Sequence, residues 1–166
     1  MKRYAVVDVE ALVMRQVDIV EQVALIIVNE NGVELLAEKH MVYQPFNILQ
    51  LHQIYGIDLR IIETAVQGYQ MVTGDYFIHP FIQLHERWNE VRRRIGNLCK
   101  TTVDAVFAKG TALECRVFYK EFPIIDLACY GVPKYPKELL HDPLAECRYF
   151  GSFLPQVLTQ IKKCDA

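Results

Sequence analysis

The chain has 166 residues, of which 52% are apolar and 23% charged, with a net charge of −2. That length suits one domain with a sizeable core, and the composition excludes a disordered or fibrous chain. The charge excludes a protein that grips nucleic acid through a broad basic surface, while leaving a narrow active-site cleft open.

The first predicted strand runs from Tyr4 to Val9 and leads into Asp8-Val9-Glu10. Side chains at i and i+2 leave a strand on the same face, so both carboxylates point into one small space at its exit. Two unpaired acids this close repel unless a hard cation neutralises them, although a solvated strand end would show the same pattern. Val20 to Val28 and Val33 to Tyr43 read as the next strands, joined by Asn29-Glu30-Asn31-Gly32, whose Asn-Gly step supplies positive φ angles for a tight antiparallel hairpin. Residues Gln44 to Pro80 are poorly periodic and read as loops and short helices. Leu84, Trp88, Val91, Ile95 and Leu98 then recur at helical spacing as a core-facing stripe.

A fourth strand is expected over Val103 to Ala108, followed by Lys109-Gly110-Thr111 and a short helix carrying Leu113, Val117 and Phe118. Ile124 to Leu127 is a fifth strand candidate. Asp142-Pro143 opens a last helix, with Asp as N-cap and Pro in its first turn, and Pro155 should interrupt it. The order gives an α/β fold with a mixed five-stranded sheet, an antiparallel meander of three strands plus later parallel ones, flanked by helices. No linker or repeat divides residues 1–166, so a single domain is expected.

No apolar stretch approaches the roughly 18 residues of a membrane span, and Asp8 and Glu10 fall where a signal peptide needs an unbroken apolar centre. An intracellular protein with no membrane partner is therefore expected. The five cysteines, Cys99, Cys115, Cys129, Cys147 and Cys164, lack any Cys-x-x-Cys pairing and read as reduced, mostly buried thiols.

The acidic groups, taken in order, resemble the DnaQ-like, DEDDh-type 3′–5′ exonucleases. Asp8-Val9-Glu10 matches that family's first motif, and Ile19-Val20-Glu21 resembles the start of its second strand. Glu114, on the helix after Ala108-Lys109-Gly110, has the layout of the second motif acid. His141 and Glu146 fit the spacing of the third motif, and Ile125-Asp126-Leu127 looks like the strand between the two. Glu stands where the family has Asp at positions 114 and 146. The resemblance spans nearly the whole chain and implies a ribonuclease H-like fold, with an insertion over about residues 44–100. It also implies a nuclease acting on DNA or RNA 3′ ends with two Mg²⁺ or Mn²⁺ ions, held by Asp8, Glu10, Glu114 and Glu146, with His141 activating water. Lys109 and Gly110 would contact phosphate.

Simpler roles stand beside these. Glu114 could be a solvated helix residue beside Arg116, Glu146 could pair with Arg148, and His141 could be an exposed residue at a helix start. Asp104 and Asp126 are substitutes if the motif register is different. Arg92, Arg93, Arg94, Lys162 and Lys163 could contact phosphate but read more simply as solvated helix faces or a tail, and His40, His52, His79 and His85 have no ligand spacing. Tyr55, Tyr69, Tyr76 and Phe77 offer base stacking or, more simply, packing. The two Asp-to-Glu changes also keep open a catalytically inactive exonuclease-like domain that binds nucleic acid or a protein partner.

Overall fold

The computed structural model describes residues 1–14, 17–42, 48–74, 88–118 and 120–165. Five strands, β1 (Arg3–Val13), β2 (Asp18–Asn29), β3 (Glu34–Met41), β4 (Ala105–Ala108) and β5 (Ile125–Asp126), form one sheet in the order β3-β2-β1-β4-β5. β1, β2 and β3 make the antiparallel meander, and β4 and β5 are added parallel to β1. Among the described residues, six α-helices accompany them, α1 (Ile48–Tyr55), α2 (Leu59–Thr73), α3 (Trp88–Thr101), α4 (Ala112–Phe118), α5 (Pro143–Gly151) and α6 (Leu154–Cys164), with a 3-10 turn over Leu127–Tyr130.

The predicted meander is present, with two corrections. β1 does not end at Val9; it runs to Val13, because apolar Leu12 and its neighbours continue to pair with Asp18, Ile19 and Val20. Asp8 and Glu10 therefore lie inside the strand. At the β2–β3 turn only Gly32 takes a positive φ, +79°; the Asn29 Oδ1 accepts from the Asn31 and Val33 amides instead. This is a side-chain-braced turn and not the two-residue type with both φ angles positive. Tyr43, Tyr76, Phe77, His79, Leu84 and His85 lie outside the described residues.

Alternation along the strands gives each sheet face its own core. Ala5, Val7, Val9, Leu25 and Ile27 face Val91, Ile95 and Cys99 of α3 and Phe118 of α4. The predicted stripe therefore holds from Trp88 onward. Tyr4, Val6, Ala24 and Ile26 face Cys147, Phe150, Leu154 and Val157 of α5 and α6. α5 packs so close to the sheet that a Cβ on Gly151 would sit 2.7 Å from the Ile26 side chain. The expected last helix is two helices: it stops at Gly151, and Pro155 falls in the first turn of α6, where no amide donor is required.

The segment read as loops and short helices holds a 15-residue helix, α2, whose Ile62, Val66 and Tyr69 pack with Leu12, Met14 and Ile19 over the far end of the β1–β2 pair. Tyr69 is buried and accepts a hydrogen bond from the Gln22 amide at 2.7 Å, which leaves it no face for a base. Among the cysteines, Cys99 and Cys147 are buried, whereas Cys129 and Cys164 are exposed, contrary to the expectation of mostly buried thiols. No helix among the described residues is long and apolar enough to cross a membrane.

Candidate metal centre

β1 pairs with β4 only from Tyr4 to Val6, so beyond Val6 its β4-side edge is open to other groups. On the other side a bulge follows Glu10, where Glu10 opposes Gln22 and Ala11 opposes Val20, leaving Glu21 as the extra residue of β2. Asp8 and Glu10 occupy this irregular stretch, on the face that carries Val6 and α5. α4 enters from the open edge, and its Glu114 carboxylate accepts from the Val9 amide. α5 brings Glu146, and the loop before it brings His141.

The acids converge. Ligand atoms of Glu10, His141 and Glu146 all lie within 4.8 Å of one another. The His141 Nδ1 stands 3.3 Å from Glu146 Oε2 and 3.6 Å from Glu10 Oε1. Asp8 and Glu114 adjoin this group, both close enough to Glu146 to be destabilised by its charge. Asp8, Glu114 and Glu146 are only 7%, 4% and 5% exposed, so neither glutamate is a solvated helix residue. Their supposed basic partners are engaged elsewhere: Arg116 pairs with Asp18 at 2.8 Å and Arg148 with Glu34 at 3.0 Å.

Electrostatics show what such a cluster lacks. Burial, then the charges of Glu146, Glu10 and Glu114, hold the Asp8 carboxyl well above its usual range. Burial, followed by a hydrogen bond and charge repulsion from Glu146, pushes Glu10 up to about 9. Burial raises Glu114 to about 7 even though backbone amides donate to it. Asp8 Oδ2 and Glu146 Oε2 are buried with no hydrogen bond, a costly state for carboxylate oxygens. Hard oxygen donors, two of them without hydrogen bonds, plus an imidazole fit divalent Mg²⁺ or Mn²⁺.

Asp142 is the N-cap of α5, accepting from the Ala145 amide at 2.9 Å, and it pairs with Lys39 of β3. Burial alone would raise its carboxyl, but the Lys39 and Ala145 hydrogen bonds prevail and hold it below the usual range. Asp104 and Asp126 are engaged in backbone contacts of their own: Asp104 Oδ2 accepts from the Arg3 amide and Asp126 Oδ1 from the Gly110 and Ala128 amides. Gly110 has φ +63°, which glycine permits at no steric cost, and its N–H is already donated to Asp126. Arg92 and Arg94 pair with Glu121 and Glu38 instead of being merely solvated, while Lys162 and Lys163 are exposed.

Sequence reasoning missed the loop before His141. Tyr135 sets its ring edge-on to His141, Tyr149 and Phe150, with centroids 6.0, 5.4 and 6.4 Å away. The His141 amide donates to the Val72 carbonyl at 2.6 Å, so the end of α2 also fixes this loop. Asp8, Lys109, Gly110, Lys134, Tyr135, Lys137, His141, Glu146 and Phe150 together line a cavity of about 340 Å³. A Lys-x-x-Lys spacing around an aromatic residue, just before the motif histidine, was the available signal.

The mixed sheet between two helical layers is an α/β fold of the ribonuclease H-like class. No protein-family model matches the chain, and no curated protein matches it in sequence. Solved structures share its fold. The metal-free E. coli exonuclease I complex with single-stranded DNA matches with a TM-score of 0.60 and 14% identity, covering 98% of this chain and 41% of that one. E. coli exonuclease I bound to a dA16 oligonucleotide gives 0.61 and 13%, over 98% and 42%. A moderately thermophilic exonuclease I from Methylocaldum szegediense gives 0.58 and 13%, over the same shares. The chain thus spans about two fifths of the length of these structures.

Proposed function

We propose that this chain is a metal-dependent 3′–5′ exonuclease of the DnaQ-like, DEDDh-type layout, acting on single-stranded DNA or RNA ends. The observation that carries this reading is the meeting of Glu10, His141 and Glu146 within 4.8 Å, beside buried Asp8 and Glu114. The four acids come from three elements, β1, α4 and α5, and two of their buried oxygens, Asp8 Oδ2 and Glu146 Oε2, have no hydrogen bond within the fold. The exonuclease I complexes with single-stranded DNA favour a single strand as substrate.

Two Mg²⁺ or Mn²⁺ ions, when bound, would stabilise charge on the attacking water and on the leaving 3′ oxygen. Asp8, Glu10, Glu114 and Glu146 would hold them. His141, with 40% of its side chain exposed, is the group in the cluster that reaches solvent and takes the proton of the attacking water. The aromatic edge of Tyr135 and the bond to Val72 hold its ring and backbone for that step. Residues 1–166 serve as one catalytic domain in this reading, and α2, within residues 44–100, holds the loop before the site through the Val72 carbonyl.

The test is digestion of 5′-labelled single-stranded DNA and RNA with Mg²⁺ or Mn²⁺. The expected result is a ladder shortening from the 3′ end, abolished by EDTA, by Asp8→Ala and by His141→Ala. No shortening with either metal, or shortening that persists in both variants, overturns the reading. Tight binding without shortening would favour a catalytically inactive module.

A further inference from the structure

The three lysines of the cavity divide between two elements. Lys109 leaves the end of β4, and Lys134 and Lys137 belong to the loop from Val132 to Leu140. Among the described residues none of the three forms an ion pair, although Lys39 and Lys100 do. Lys134 and Lys137 are exposed and Lys109 is half-buried, all around a floor of Asp8, Glu146 and His141. Ammonium groups unused by the fold, placed around acids that call for cations, suit a polyanion.

The loop is also held in place before any ligand arrives. The Tyr149 hydroxyl donates to the Lys134 carbonyl at 3.3 Å, Tyr135 packs into an aromatic cluster, and Leu140 lies against Gly74 at the end of α2. Little backbone ordering entropy is then lost when a ligand engages the loop, and the cost is confined to the lysine side chains. Lysine is a point charge that does not demand fork geometry, which suits contacts to successive phosphates regardless of base.

We propose that the 132–140 loop is the phosphate-gripping wall of this cleft, with Lys134 and Lys137 binding the backbone of a single-stranded nucleic acid beside Lys109. This rests on the nuclease reading above and adds residues that its acidic motifs do not include. With a net charge of −2, the chain has no general basic surface, so these local charges supply the electrostatic part of strand binding.

The test is fluorescence anisotropy of a labelled oligothymidylate in EDTA, at several salt concentrations, with wild type, Lys134→Ala/Lys137→Ala, Lys134→Arg/Lys137→Arg and Lys162→Ala/Lys163→Ala. Two lost phosphate contacts should flatten the slope of log affinity against log salt by about 1.4, or about 25-fold in affinity at 0.1 M salt. The arginine variant should keep the slope, as should the control in the exposed end of α6. Unchanged thermal unfolding of the alanine variant separates this from misfolding. A wild-type slope in the alanine variant overturns the proposal while leaving the nuclease reading intact. Absence of wild-type binding together with absence of digestion overturns both.

Discussion

Glu10→Gln in the metal-free protein isolates the electrostatic strain of the acidic cluster. Glu10 is pushed up to about 9 in the fold, against 4.5 for an ordinary glutamate. Below pH 4.5 the carboxyl is neutral whether folded or not, and it contributes no penalty. As pH rises from 4.5 towards 9 the unfolded chain releases a proton that the folded chain retains, so stability is lost across that window. At pH 7.5 the loss reaches about 4 kcal/mol at most, from three pH units at 1.36 kcal/mol each. Glutamine keeps the shape and a hydrogen-bond donor without the charge, so it should recover about 1–3 kcal/mol, a rise of several degrees in Tm for a chain of this size. Thermal unfolding in EDTA between pH 4.5 and 9 reads this directly. The gain should vanish near pH 4.5, and Mn²⁺ should stabilise wild type while stabilising Glu10→Gln less. A variant less stable than wild type at pH 7.5 in EDTA, or a difference independent of pH, would refute the reasoning.

Phe118→Ala should cost about 3–5 kcal/mol in denaturant unfolding, because Phe118 is fully buried and stacks on Phe122 at 5.0 Å. Asp142→Ala removes the cap of α5 and the Lys39 partner and should cost about 1–2 kcal/mol by the same measurement. Gly74→Ala places a side chain at φ +72° and 2.8 Å from Leu140, next in sequence to His141. A loss of about 1–2 kcal/mol is expected from the left-handed backbone, with a lower kcat in the digestion assay.

Much of the fold was legible because local rules agreed with it. The meander, the β4 segment and the Asp142 cap were all visible in alternation, turn residues and N-cap chemistry. The end of β1 was misread because two acids look like a strand terminus. Only the pairing with Asp18 to Val20 and the bulge at Glu21 show that the strand carries them inward. α2 was missed although Ile62, Val66 and Tyr69 have helical spacing, since Gly68 and the flanking glycines dilute its pattern. The five candidate residues, Asp8, Glu10, Glu114, His141 and Glu146, were named through the resemblance to the exonuclease motifs, and the fold brings them close together. What spacing cannot give is burial. Whether Glu114 and Glu146 were solvated depended on where Arg116 and Arg148 found partners, Asp18 and Glu34, about a hundred residues away in sequence. The lysine wall was hidden for the same reason, since only the folded loop sets it beside the acids.

The most direct measurement is anomalous scattering from crystals soaked in Mn²⁺. Two peaks bounded by Asp8, Glu10, Glu114 and Glu146, with His141 alongside, are predicted, and both should disappear in Asp8→Ala. Manganese bound only elsewhere, or a cluster left empty at saturating concentration, would contradict the account.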